Sequence, residues 1–89
     1  MHNFQNAREM VSVKLDGARG DIAKIIAEEG PHWSTTEVLR AIDAGELVMA
    51  ETYAGFAANA AQQSLNATRA HLALADIAVA RYILQELGK

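Results

Sequence analysis

Glu29-Gly30-Pro31-His32-Trp33-Ser34-Thr35-Thr36-Glu37-Val38 decides how this chain folds, because it stops one helix and starts another within a few residues. Gly30 suits the left-handed position just past a helix end, and Pro31 forbids resumption by removing a donor and clashing with the turn before it. Ser34 and Glu37 have capping-box spacing, in which the serine serves the N3 amide and the glutamate reaches back to the cap. Trp33 and Val38 stand at the positions of a hydrophobic staple across that box.

Upstream, residues 21–29 read as a short helix with Ile22, Ile25 and Ile26 on one side. The first fifteen residues carry two patterns. Phe4, Ala7, Val11 and Leu15 suit a helix capped by Asn3, whereas Val11, Val13 and Leu15 alternate with Ser12 and Lys14 as in a strand. Helix is the expectation, since no second strand is visible to pair with the first. Downstream, helical periodicity runs from Ser34 to about Ser64, with Val38, Ile42, Met49, Tyr53, Phe56 and Ala60 on one face. Gly45 is expected either to kink this segment or to end one helix before another. A last helix, residues 65–87, has Leu72, Ala73, Ile77, Ala80, Ile83, Leu84 and Leu87 along a broad side. The chain is therefore expected to be all-α, one domain over residues 1–89. The bundle has about four helices, with the C-terminal two longest and Ala-rich.

Composition narrows the function classes. With 89 residues and no cysteine, the chain has a small core and no disulfide to strengthen it, and the lack of cysteine fits a reducing, cytoplasmic setting. Its start has neither a basic run nor an apolar stretch, so no secretory signal is expected, and no apolar run reaches membrane-spanning length. The net charge of −3 argues against general affinity for phosphate backbones. Half of the residues are hydrophobic while aromatics are few; alanine makes up the difference.

Both late helices are apolar on two sides. Opposite the broad face of the last one lie His71, Leu74, Ala75, Ala78 and Tyr82; on the preceding one, Leu47, Ala54, Ala58 and Ala61 sit away from the Val38–Phe56 line. A protein this small cannot enclose two helices completely, so Leu47, Ala54, Ala58, His71, Leu74, Ala78 and Tyr82 are expected to contact a second copy of the chain or another protein. Trp33 is the candidate exposed anchor, tryptophan being enriched at binding hot spots. Glu46, Arg69 and Asp76 fall among apolar positions, so Asp76 or Glu46 is expected to pair with Arg69 or Arg40.

Motifs for chemistry fail on geometry. Glu29 and His32 have Glu-x-x-His spacing, but Gly30-Pro31 breaks the helix that would align them as metal ligands. The histidines lie far apart, and Ser34 is committed to capping. No catalytic, metal or cofactor-binding residue is assigned, and no enzyme is expected.

Residues 11–15, the helix after them and the Ser34-Thr35-Thr36-Glu37-Val38-Leu39-Arg40 helix start together resemble the ribbon-helix-helix repressors and antitoxins. The match covers about a third of the chain. That resemblance implies a dimer whose paired strands enter the major groove, with Ser12 and Lys14 facing bases and the Ser34 helix start holding a phosphate. The leading expectation is instead a non-enzymatic interaction protein, a small acidic homo-oligomeric adaptor, regulator or inhibitor that docks on a protein partner. A dimeric DNA-binding regulator is the alternative.

Overall fold

The computed structural model describes residues 4–88, with side chains from residue 6 onward. Among those residues the chain forms four helices: α1 (Phe4–Glu29), α2 (Trp33–Asp43), α3 (Leu47–Ala60) and α4 (Ser64–Leu87). Each packs against its neighbours in a closed ring, α1 on α2, α2 on α3, α3 on α4 and α4 back on α1. Ion pairs bridge each neighbouring pair in this antiparallel ring. Arg19 meets Asp43, Arg40 meets Glu46, Arg81 meets Glu51, and both Lys14–Asp76 and Glu28–Arg69 join α1 to α4.

The break at Gly30-Pro31 stands as expected. Gly30 has φ +84 and donates its N–H to the Ile26 carbonyl at 2.8 Å, closing α1. The cap lies two residues earlier than the Ser34–Glu37 spacing implies. His32 is the N-cap, its Nδ1 accepting the Ser34 N–H at 3.2 Å, while the Thr35 hydroxyl accepts the His32 N–H at 3.1 Å. An imidazole nitrogen does here what a serine oxygen does in the usual box, and His32 itself has the extended backbone of a cap, with φ -127 and ψ 152.

α1 is one helix of 26 residues, so the strand alternative for residues 10–15 fails, and with it the strand on which the ribbon-helix-helix resemblance rests. Gly17 and Gly20 each cost a helix roughly 1 kcal/mol relative to alanine, yet Val11, Ala18, Ile22 and Ile25 bury on one line across both. That packing outweighs the glycine penalty. Gly45, at φ +75, ends α2 rather than kinking it. The longest helices are consequently α1 and α4, not the C-terminal pair. Asn3, expected as the cap of α1, lies outside the described residues.

The core inverts the expected face on α3, whereas on α4 Ala73, Ile77 and Ala80 of the expected face do point inward. α3 turns Leu47, Ala50, Ala54, Ala57 and Ala58 inward, and α4 turns Asn66, Ala70, Ala73, Ile77 and Ala80 inward. Met49, Phe56, Leu72 and Leu84, which periodicity alone places inside, are exposed. Helices apolar all round give the pattern no preferred side, and alanine lets two backbones approach closely where leucine would hold them apart.

One carboxylate joins the two long helices. Glu29, the last residue of α1, accepts the backbone N–H groups of Gln62 at 2.9 Å and Gln63 at 3.1 Å, and the Asn66 side-chain amide. The carbonyl of Asn66, itself fully buried, accepts from Arg69, which also binds Glu28. The Gln62 N–H first, then Asn66, holds the Glu29 carboxyl below its ordinary value of 4.5; the Arg69 hydrogen bond does the same for Glu28. A carboxyl lowered in the folded state contributes stability that is complete above its ordinary value and lost as pH falls through the folded one. The melting temperature, followed by circular dichroism, is therefore expected to be flat above that value and to decline below it. Glu29→Gln should lower the neutral-pH melting temperature and flatten the acid decline. Ile77→Ala, emptying a fully buried site, should cost about 2–5 kcal/mol in denaturant unfolding.

Candidate partner-binding surface

Trp33 opens α2 immediately after the cap, which sets its side chain on the outer face shared by α2 and α3. There it meets Tyr53 edge-on at 6.1 Å between ring centroids, Phe56 at 5.6 Å and the His32 ring at 5.7 Å. The single tryptophan of the chain thus shares a cluster with a tyrosine and a phenylalanine. Trp33 is nevertheless 55% exposed and Phe56 47%. Val38, the expected staple partner of Trp33, points into the core instead. Glu37, Arg40 and Glu46 form an ion-paired border beside the rings, Arg40 lying 2.8 Å from Glu37 and 3.6 Å from Glu46. The Glu37 hydrogen bond foremost raises the Arg40 guanidinium pKa. This is an aromatic ledge with its rings already braced against one another.

The other expected contact residues are dispersed. Leu47, Ala54 and Ala58 are buried in the protomer and unavailable to any partner, which corrects their assignment as an outer face. Leu74 packs partly against the same core, and Ala78 is half-buried. His71 and Tyr82 are exposed on α4. Tyr82, with Ala7, Val79 and Ile83, lines a shallow apolar groove of about 540 Å³ between the start of α1 and the end of α4.

The charge pairing is partly as expected. Glu46 meets Arg40, but Arg69 binds Glu28, and Asp76 has Lys14 at 3.7 Å. Asp76 reaches an edge of the helix pair rather than its centre, because Gly17 of α1 leaves room for its carboxylate. Ser34 is fully buried, its hydroxyl 2.7 Å from His32 Nδ1 at the start of α2. A polar cavity of about 170 Å³ beside it is lined by Glu29, His32 and Thr35. Among the described residues no group of three potential ligands could hold a metal ion, and no helix is long and apolar enough to cross a membrane.

Periodicity hid Phe56 and Met49 by assigning them to the core, against which Tyr53 alone of the three partly packs. A signal was present in the heavy alanine content of the opposite side of α3, which suits close helix packing. Comparison of the chain with protein-family models, curated proteins and solved structures finds no match.

Trp33 emission should be red-shifted and readily quenched by acrylamide in the folded protein, changing little on unfolding. Trp33→Ala should cost about 1 kcal/mol, the worth of its ring contacts, as read by thermal denaturation.

Proposed function

We propose that this chain is a non-enzymatic interaction protein that docks on another protein through the Trp33–Tyr53–Phe56 ledge. The observation that carries the reading is the exposure of a pre-assembled aromatic cluster on a bundle whose own core is built largely from alanine. Tryptophan and tyrosine present large contact area at low entropic cost, and rings already held by one another lose little further freedom on binding. Half-exposed rings of this size in water represent several kcal/mol of unused hydrophobic burial.

The partner that fits is a protein surface presenting an apolar side chain flanked by lysine or arginine. The apolar group would fill the angle between Trp33 and Phe56. A cation would find the indole face together with Glu37 and the acidic balance of the chain, whose net charge is −3. Adaptor, regulator and inhibitor are all roles that such docking serves.

Affinity capture from host extract with the tagged protein tests this in comparative form. One protein should be retained by wild type and by an Ala23→Ser control, and lost with Trp33→Ala and with Phe56→Ala while both variants keep their helical circular dichroism at the capture temperature. Equal retention by all four proteins would overturn the reading.

A further inference from the structure

The geometry points to a second docking face, formed by α1 and α4 on the side away from the aromatic ledge, whose occupant is another copy of this chain bound antiparallel about a two-fold axis. On α4, Leu65, Leu72 and Val79 recur every seven residues along the outside, the spacing that keeps one stripe of a helix turned toward a partner helix. Leu72 is 53% and Val79 42% exposed; beside them on α1, Val13 is 64% exposed. Among the described residues, nothing within the protomer covers this face.

Its shape is self-complementary. Gly17 has a role inside the protomer, since a Cβ there would stand 3.0 Å from the Asp76 carboxylate. Gly20 has none, because a Cβ at that position meets nothing within 4 Å. A mid-helix glycine facing open space weakens α1 without benefit to the isolated chain, and close approach by another helix supplies the missing reason. The Lys14–Asp76 contact sets how α1 and α4 run past one another, and a two-fold axis crossing both helices at the level of Gly17 respects that register. It brings Val13 over Gly20 of the second copy and Leu72 over the small Ala75. Large residues meet small ones on both helices at once.

Charge agrees with this arrangement. Among the described residues, neither Glu9 nor Lys24 makes an ion pair within the protomer. The same axis sets Lys24 of each copy opposite Glu9 of the other, twice in an isologous interface. The size agrees as well. The molecule extends 43 × 19 × 16 Å, so its long face offers on the order of 800 Å², the contribution of each partner to a standard interface.

Sedimentation velocity of the full chain from micromolar to millimolar concentration tests the proposal. Wild type should sediment as a dimer. Leu72→Glu and Gly20→Leu, both at open positions of the protomer, should each weaken dimerisation about tenfold or more with helical circular dichroism unchanged. Lys24→Glu should weaken it too, and adding Glu9→Lys should restore it, because reversing both charges rebuilds the pair. A wild type that stays monomeric at every concentration overturns the proposal, as does a dimer indifferent to Leu72→Glu and Gly20→Leu. Failure of the double charge reversal to rescue overturns the antiparallel register. Loss of the aromatic ledge by Trp33→Ala should leave sedimentation unaltered, which keeps this face separate from the docking reading above.

Discussion

The Glu29 carboxylate, seated on the exposed amides at the start of α4, is the contact that closes the ring of helices. Successive helices are tied by turns of a few residues, so their adjacency follows from chain connectivity. α1 and α4 have no such tether. The cap position of α4 is Gln63, whose side chain makes no capping bond, and the Gln62 and Gln63 amides that lead into the helix take their acceptor from a residue far away in sequence. Because Glu29 sits at the last turn of α1 and its acceptors at the first turn of α4, one interaction sets the antiparallel register of the two longest helices. Asn66 and Arg69 extend it along the interface, and Lys14–Asp76 continues the same register further up. A negative charge at a helix N-terminus is also favoured by the backbone dipole.

What that register brings together is an interior of small side chains. Ala50, Ala54 and Ala57 on α3 meet Ala70, Ala73 and Ala80 on α4 with Ile77 among them. Close helix approach gains dispersion contacts but removes little area per residue, so the core of so short a chain yields a modest hydrophobic return. Meanwhile leucine, valine and aromatic side chains that ordinarily supply that return stand on the outside. Scattered apolar residues on a surface need no explanation, but here Trp33 and Phe56 share an aromatic face across α2 and α3, and Leu72, Val79 and Val13 an aliphatic one across α1 and α4. Stability withheld from the interior is available to interfaces.

This division also explains what the sequence disclosed. Gly30-Pro31 and Gly45 mark real ends because positive φ and a missing donor are local properties that tertiary packing cannot override. The choice of His32 over Ser34 as cap was not legible, since both are polar, lie two residues apart and touch each other in the structure. Helix faces were less legible still. Val38 and Ile42 point inward as periodicity requires, because α2 has a polar side to contrast with them. α3 and α4 lack that contrast, so the side-chain sizes misled: Leu72 was placed inside and Ala54 outside, the reverse of what close packing selects. Trp33 was identified as exposed from residue type alone, whereas its companions Tyr53 and Phe56 needed the α2–α3 geometry. The partner of Arg69 was out of reach, because Glu28 lies on α1 and only the register of α1 against α4 brings it to Arg69.

The placement of the two faces bears on how docking would work. α2 and α3 carry the aromatic ledge, and α1 and α4 lie behind them, so pairing through the rear leaves both ledges of a dimer uncovered and directed away from each other. An antiparallel two-fold also inverts one ledge relative to the other. Such an assembly, as proposed, would engage two sites on a symmetric partner, or two separate molecules, and the second contact would form at an effective concentration set by a rigid bundle rather than a flexible linker. A ledge of only three rings gives limited affinity alone; doubling it on a stiff frame raises the avidity without adding a residue. The alanine interior is what makes this frame slender, because backbones packed this closely hold the ledge and the rear face within one bundle thickness of each other.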